Sequence, residues 1–250
     1  MSPLKLEDLS ARALRQIIEL KVAMQEEEEE DIYLRLLELS TCLEGKKGKG
    51  KTMSAVVITH NLRERFDRHV ITVGSKMGLN EQFGKFQNIT EMEFREILSK
   101  VQDIVEGESH ARAAEDVYRA LKKAGIDLMY STMAFDEAYK LFDARTPSDK
   151  LVRLFGYFIS QQRHYHCTTV LCTPNRQMVD KRVRDQVDWW GRCFYNQWTA
   201  ECIVRLTAGL ESMPLIFNSA DDTYHVPYQE MYNSWSLEGF RRSHLNIKQT

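Results

Sequence analysis

The sequence predicts an α/β domain with a mostly parallel central sheet flanked by helices. Antiparallel strands sit at its C-terminal edge, and a helical extension precedes it. Three observations predict this. From about residue 39 onward, strand-like and helix-like segments alternate, as in parallel sheets with crossover helices. A loop rich in glycine and lysine, Gly45-Lys46-Lys47-Gly48-Lys49-Gly50-Lys51-Thr52, lies between one such strand and one such helix. Beyond about residue 190, short alternating segments replace the strand–helix rhythm.

The elements follow in order. Leu4, Leu9, Leu14, Ile17, Ile18 and Val22 recur at helical spacing and predict an amphipathic helix over 4–24, capped by Asp8 or Ser10. Residues 26–31 are six consecutive acids. They read as a solvated helix face or hinge, with a DNA-mimicking segment as the alternative. Residues 39–43 predict a short, rather polar strand, and 53–66 a helix. The β-branched run His69-Val70-Ile71-Thr72-Val73-Gly74 predicts a strand. Helices are expected over 90–105 and 109–124, a strand ending in acids over 126–135, and a helix over 148–165. A strand over 168–173 and a helix over 176–188 come next. Residues 192–198 and 202–207 alternate like antiparallel strands. With no Gly/Ser/Pro linker, the expected division is an acidic helical arm over 1–38 and one domain over 39–250.

The chain has 34 Lys+Arg and 36 Asp+Glu, a net charge of −2, which excludes a uniformly cationic, histone-like protein. The charge is uneven. Residues 1–44 carry five basic and eleven acidic side chains, so the remaining residues have an excess of +4. No run of 18 apolar residues occurs, so no transmembrane helix is expected. No apolar signal region opens the chain. The five cysteines (42, 167, 172, 193 and 202) form no CxxC pair, and their odd number points to reduced thiols in a cytosolic setting. Cys167 and Cys172 flank an apolar stretch and read as buried strand positions.

The loop at 45–52 matches GxxxxGK[ST] at every fixed position. Gly45, Gly48 and Gly50 let the backbone curl so that N–H groups point at phosphate oxygens. Lys51 is placed to reach the β- and γ-phosphates of ATP, and the Thr52 hydroxyl to bind Mg²⁺. Lys46, Lys47 and Lys49 add local positive charge. The following helix aims its positive end at the same phosphates.

A nucleoside triphosphatase of this kind needs carboxylates at a neighbouring strand end. The mostly apolar segment 128–135 runs into Asp136-Glu137. Asp136 is the candidate for holding Mg²⁺ through water and Glu137 for the catalytic base. Adjacent acids at a buried strand end have little structural use without a cation. A further strand, 168–173, runs into Thr173-Pro174-Asn175, where either Thr173 or Asn175 is placed to sense the γ-phosphate.

These motifs resemble the FtsK–HerA superfamily of P-loop motor ATPases. In particular they resemble the viral genome-packaging ATPases and Zot-like ATPases. The matching text is GKKGKGKT at 45–52, HVITVGSK at 69–76 and MAFDEAYKLFDAR at 133–145. It continues with FISQQRHYH at 158–166, TTVLCTPN at 168–175, VDKRVRDQVD at 179–188 and HVPYQEMYNSW at 225–235. The likeness spans roughly 39–236. Two features depart from the family: Thr-Pro-Asn stands where Gln is usual, and the membrane segment common in Zot proteins is not expected here.

The resemblance implies a homo-oligomeric ring, usually a hexamer, with ATP and Mg²⁺ at subunit junctions. An arginine from the neighbour then stabilises the transition state, with Arg163, Arg182 and Arg184 as candidates. It also implies double-stranded DNA as the translocated partner, capsid or vertex proteins as further partners, and a place in the host cytoplasm or with the virion. The alternative is a Zot-like assembly ATPase that acts on protein partners. Nine basic residues against four acids between 145 and 192 suit sequence-independent contacts to a DNA backbone. Lys76 and Lys85 in 76–86 are further candidates. Trp189 and Trp190 read either as base-stacking groups or as core.

Overall fold

The computed structural model of the chain describes residues 32–74, 79, 86–101, 110–146, 149–196 and 201–218. The chain divides into two compact units, Met1–Arg35 and Leu36–Thr250. The strands and helices that follow lie in the second. The expected helix over 4–24, the acidic run, most of 76–86 and the 225–235 segment lie outside the described residues.

The element order is β1 (Ser40–Glu44), α1 (Lys51–Phe66), β2 (His69–Val73), β3 (Gln87–Ile89), α2 (Glu91–Ser99), α3 (His110–Lys123), β4 (Ser131–Phe135), α4 (Lys150–Gln161), β5 (Thr168–Thr173), α5 (Lys181–Arg184), β6 (Trp189–Asn196), β7 (Glu201–Ala208) and β8 (Glu211–Asn218). Among the described residues these strands form one sheet in the order β3-β2-β4-β5-β1-β6-β7-β8. All pairings from β3 to β6 are parallel, and β7 and β8 add on in antiparallel fashion. The predicted α/β class with an antiparallel C-terminal edge is the observed one.

Burial explains the sequence pattern. β4 and β5 are buried at every position, as strands covered on both faces must be. The ten consecutive residues of α1 from Met53 to Leu62 are buried as well. A helix buried all round carries no clean apolar stripe. On the opposite side of the sheet, Phe135 packs edge-on against Phe94, Phe142 and Phe155 at centroid distances of 5.5, 5.5 and 4.9 Å. Phe142 and Phe155 stack at 4.1 Å. This aromatic layer fixes the last residue of β4.

Four expectations need correction. The strand expected over 126–135 begins only at Ser131. Tyr130 before it is left-handed (φ 53°), and the Asp127 carboxylate accepts the Met129 N–H at 3.0 Å, which builds a turn. The helix over 148–165 stops at Gln161 and continues as a 3-10 turn, Gln162–Tyr165, ended by the left-handed His166 (φ 50°). The helix over 176–188 is broken in two. Val179 bridges to Asp143, while Asn175 caps a 3-10 turn and Asp180 caps α5. The segment read as a purely antiparallel strand, 192–198, starts at Trp189 and runs parallel to β1 before β7 pairs with it. The Asp188 carboxylate sets that register by accepting both the Ser40 N–H and its hydroxyl, each at 2.8 Å. β3 is polar and carries no strand signal of its own; it forms beside β2, where the Thr72 hydroxyl donates to Asn88 Oδ1 at 2.9 Å. Trp189 is core, only 4% exposed. Among the described residues no helix is long and apolar enough to cross a membrane.

Gly191 marks the tightest contact between β6 and the rest of the sheet. A Cβ there would lie 2.6 Å from Leu43 Cδ2 and 2.9 Å from Val204 Cγ1. Gly191→Ala is therefore expected to destabilise the domain by about 1–3 kcal/mol through overpacking. Chemical denaturation measures this; an unchanged midpoint would show that the contact yields freely.

Candidate active site

The loop at 45–52 leaves the sheet at the C-terminal end of β1. Gly45 N–H donates to the Thr173 carbonyl of β5 at 3.3 Å. Gly48 (φ 76°) and Gly50 (φ 82°) adopt left-handed backbone that only glycine enters freely. Gly50 is also the N-cap of α1, with no side-chain cap, and the first turn of α1 carries no acid. The helix's first N–H groups and positive end are left for an anion. Lys49 N–H closes a turn onto the Lys46 carbonyl at 3.2 Å, and the side chains of Lys46, Lys47 and Lys49 are exposed. Lys51 Nζ donates to the same Lys46 carbonyl at 3.2 Å, folded back over its own loop.

β5 lies between β1 and β4, so the loop and the acidic strand end face one another across one strand. Thr52 Oγ1 donates to Asp136 Oδ1 at 3.1 Å. Burial pushes the Asp136 carboxyl above its usual range, and the neighbouring Glu137 charge adds to this. The Thr52 hydrogen bond and the Lys51 charge act the other way without cancelling it. The result is a half-buried carboxylate short of positive charge beside a hydroxyl. Both are hard oxygen donors of the kind Mg²⁺ prefers, so the residues fit that ion.

Glu137 follows with a left-handed backbone (φ 52°), a strained conformation for a non-glycine residue. Its carboxylate accepts a hydrogen bond from Lys140 Nζ, and that bond pushes the Lys140 ammonium above its ordinary value. Arg95 steadies the turn. It donates to the Lys140 carbonyl at 2.6 Å and reaches Glu91 and Asp149, each at 3.4 Å. At the end of β5, Thr173 Oγ1 donates to the Asn175 carbonyl at 3.0 Å. Asn175 Oδ1 accepts the Gln177 N–H at 2.9 Å. Both sensor candidates are thus engaged in their own turn, with Thr173 closer to the loop through its carbonyl.

The arginines do not join this cluster within one chain. Arg163 lies at the N-terminal edge of the sheet, paired with Asp188 at 3.2 Å, whereas Gly45, Asp136 and Thr173 lie at the C-terminal edge. Arg182 and Arg184 stand on α5. Arg184 lines a cleft of about 380 Å³ with Arg176, Gln177, Asp185 and Trp190.

Sequence reasoning missed the back wall of the loop. A Cβ on Gly50 would lie 3.1 Å from Cys202 Sγ and 3.4 Å from Tyr195 Cβ. One on Gly45 would lie 3.3 Å from the Cys193 carbonyl. Burial pushes the Cys193 and Cys202 thiols up to about 12, so they are packing groups, and all five cysteines are free and buried. No signal in the sequence ties residues 193–202 to a loop so far upstream. Arg95 and Lys140 were missed for the same reason.

The family model for zonular occludens toxin (Zot) matches residues 41–197. No curated protein matches the chain. Among solved structures, the N-terminal domain of zonular occludens toxin from Neisseria meningitidis aligns at 18% identity and a TM-score of 0.51, covering 79% of this chain and 100% of that one. The DNA-packaging ATPase B204 from Sulfolobus turreted icosahedral virus aligns at 16% identity and a TM-score of 0.44, covering 72% and 97%. The pCW3 conjugation coupling protein TcpA aligns at 13% identity and a TM-score of 0.46, covering 78% and 64%. The Neisseria domain shares the fold.

Asp136 generates a prediction. Its carboxyl is raised in the folded state, so its ionisation opposes folding at pH values above that raised value and has no effect where it is protonated in both states. Asp136→Asn is expected to raise the melting temperature of the nucleotide-free protein at neutral pH, by about 2–4 °C per kcal/mol relieved. The gain should shrink as the pH falls. Melting curves across pH test this; an equal gain at all pH values would assign the effect to something other than charge.

Proposed function

The chain belongs to the zonular occludens toxin (Zot) family, and we propose that it is an ATP-hydrolysing motor that translocates double-stranded DNA, most like a viral genome-packaging ATPase. One observation carries the reading. The Thr52–Asp136 hydrogen bond joins the phosphate-binding loop to an acidic strand end, and Glu137 follows directly. Either half alone is a common local feature; joined, they make a hydrolytic site.

The roles follow from position. The N–H groups around Gly48 and Gly50 and the open end of α1 receive the phosphates. Lys51 exchanges its hydrogen bond to the Lys46 carbonyl for the β- and γ-phosphates. Thr52 and Asp136 would hold Mg²⁺. When bound, that ion neutralises charge on the phosphate oxygens. Glu137 takes the proton of the attacking water, for which it must leave Lys140. Thr173 or Asn175 reports the γ-phosphate. Arg163, too remote to serve its own chain, is suited to act on a neighbour in a ring, and Arg184 is the other candidate. A homo-hexamer working on DNA in the host cytoplasm, with capsid or vertex proteins as docking partners, is the assembly this reading implies.

The family match favours a second reading, an assembly ATPase that acts on protein partners. ATP turnover separates the two: stimulation by duplex DNA supports the motor, and stimulation by a capsid or membrane partner alone supports the assembly factor.

Glu137→Gln is expected to lower kcat by about 10²–10⁴, the usual contribution of a general base, while nucleotide still binds. Lys51→Ala should lose both nucleotide binding and turnover. ATPase assays with nucleotide-binding titrations check both; full activity in either variant would refute the corresponding role.

A further inference from the structure

Nine of the arginines sort into two groups. Arg68, Arg95, Arg119, Arg145 and Arg163 each have a carboxylate partner. Arg176, Arg184, Arg192 and Arg205 have none among the described residues. These four are gathered on one side of the sheet. Along β6, Trp190, Arg192 and Phe194 point to the face opposite Gly191 and Cys193, which are buried. Arg192 stands directly across from Arg205 on β7, and both are exposed. Like charges directly opposite across two strands are destabilising; Glu44, the neighbour of Arg192 on β1, is the acid beside this pair, and no ion pair among the described residues joins it to either arginine.

Aromatic rings lie between the cations. Arg192 sits over the Phe194 ring at 6.0 Å, and Phe194 is 47% exposed. Arg176 sits over the Trp190 ring at 5.9 Å, at the mouth of the cleft that Arg184 also lines. The acids at the rim are Asp185 in the cleft and Glu44, whose carboxylate accepts the Arg176 N–H at 3.3 Å. Neither bonds an arginine side chain there. Arginines without carboxylate partners, beside the exposed Phe194 ring and the partly buried Trp190 ring, suit a polyphosphate strand: the guanidinium groups take the phosphates and the Phe194 ring takes sugar or base.

We propose that this face of β6 and β7, centred on Arg192 and Arg205, is a contact surface for a nucleic-acid backbone. The proposal rests on the DNA-motor function proposed above. It also supplies a route of coupling. Arg192 is the register partner of Glu44, the residue immediately before Gly45, so a strand held on this face lies next to the root of the phosphate-binding loop.

The test is the double variant Arg192→Glu/Arg205→Glu in the full chain, with binding to a mixed-sequence DNA duplex and to single-stranded DNA measured across salt concentrations. At low salt the affinity is expected to fall more than about tenfold. The slope of log affinity against log salt should shrink by about 2, at roughly 0.9 for each phosphate that the variant no longer neutralises. ATP turnover without DNA should stay at the wild-type rate, and its stimulation by DNA should be lost. Arg192→Gln/Arg205→Gln, which adds no repulsion, should show the same loss of slope with a smaller loss of affinity, and circular dichroism of both variants checks folding. Wild-type protein that fails to bind DNA would overturn the motor reading and this surface together. Wild-type protein that binds, with variants of unchanged slope, would overturn the surface alone. Variants that alter the oligomeric state and leave DNA binding intact would make this face a protein interface and overturn the assignment.

Discussion

The site depends on one hydrogen bond that joins the helix after β1 to the end of β4, a strand that β1 does not touch. Thr52 on the first turn of α1 reaches Asp136 at the end of β4, with β5 lying between β1 and β4. The bond exists because β1 and β5 end level with one another and β4 ends two residues short of them. The registers that pair Glu44 with Thr173 and Phe135 with Leu171 bring them there, and Gly45 N–H ties the first to the second. A slip of one residue in β4 would turn Asp136 to the other face of the sheet. The aromatic layer around Phe135 resists that slip, since the ring preceding Asp136 touches three others. Core packing on one face thus sets the geometry of a polar site at the edge.

This arrangement is costly before any ligand arrives. Asp136 is held where burial disfavours its charge, and Glu137 adopts a left-handed backbone that most residues avoid. The positive end of α1 has no cap. The first and the last of these costs share a remedy: a cation near Asp136 and an anion near Gly50 are what a metal–phosphate pair provides. Under the proposed function, binding energy spent on relieving these costs also completes the site, so affinity for the nucleotide and readiness to react would come from one set of residues.

What was legible in the sequence was what is local. The loop is a contiguous motif whose glycines sit where the backbone turns left-handed, and Asp136-Glu137 is marked by the apolar strand that delivers it. The parallel class followed from the alternation of segments. What was illegible needed a distant partner. β3 exists beside β2, and the break at Val179 exists because Asp143 pairs with it. The parallel start of β6 depends on Asp188 gripping Ser40. The charge count over 145–192 found a positive excess but could not separate Arg145 and Arg163, which have carboxylate partners, from Arg176, Arg184 and Arg192, which have none among the described residues.

The C-terminal strands change what counts as the site. By position they look like an appendage, an antiparallel edge added to a parallel sheet. Their buried face presses against the loop from behind, where Cys193, Tyr195 and Cys202 leave little room for a side chain at Gly50 or Gly45. Their exposed face carries Arg192 and Arg205. Residues on the two faces alternate along the same strand, so they cannot move independently over more than a residue or two. Under the proposed nucleic-acid contact, a load on the exposed face would reach the wall of the loop through a paired strand. The glycines of the loop then answer two demands at once: left-handed backbone for the phosphates, and close approach to the strands behind them.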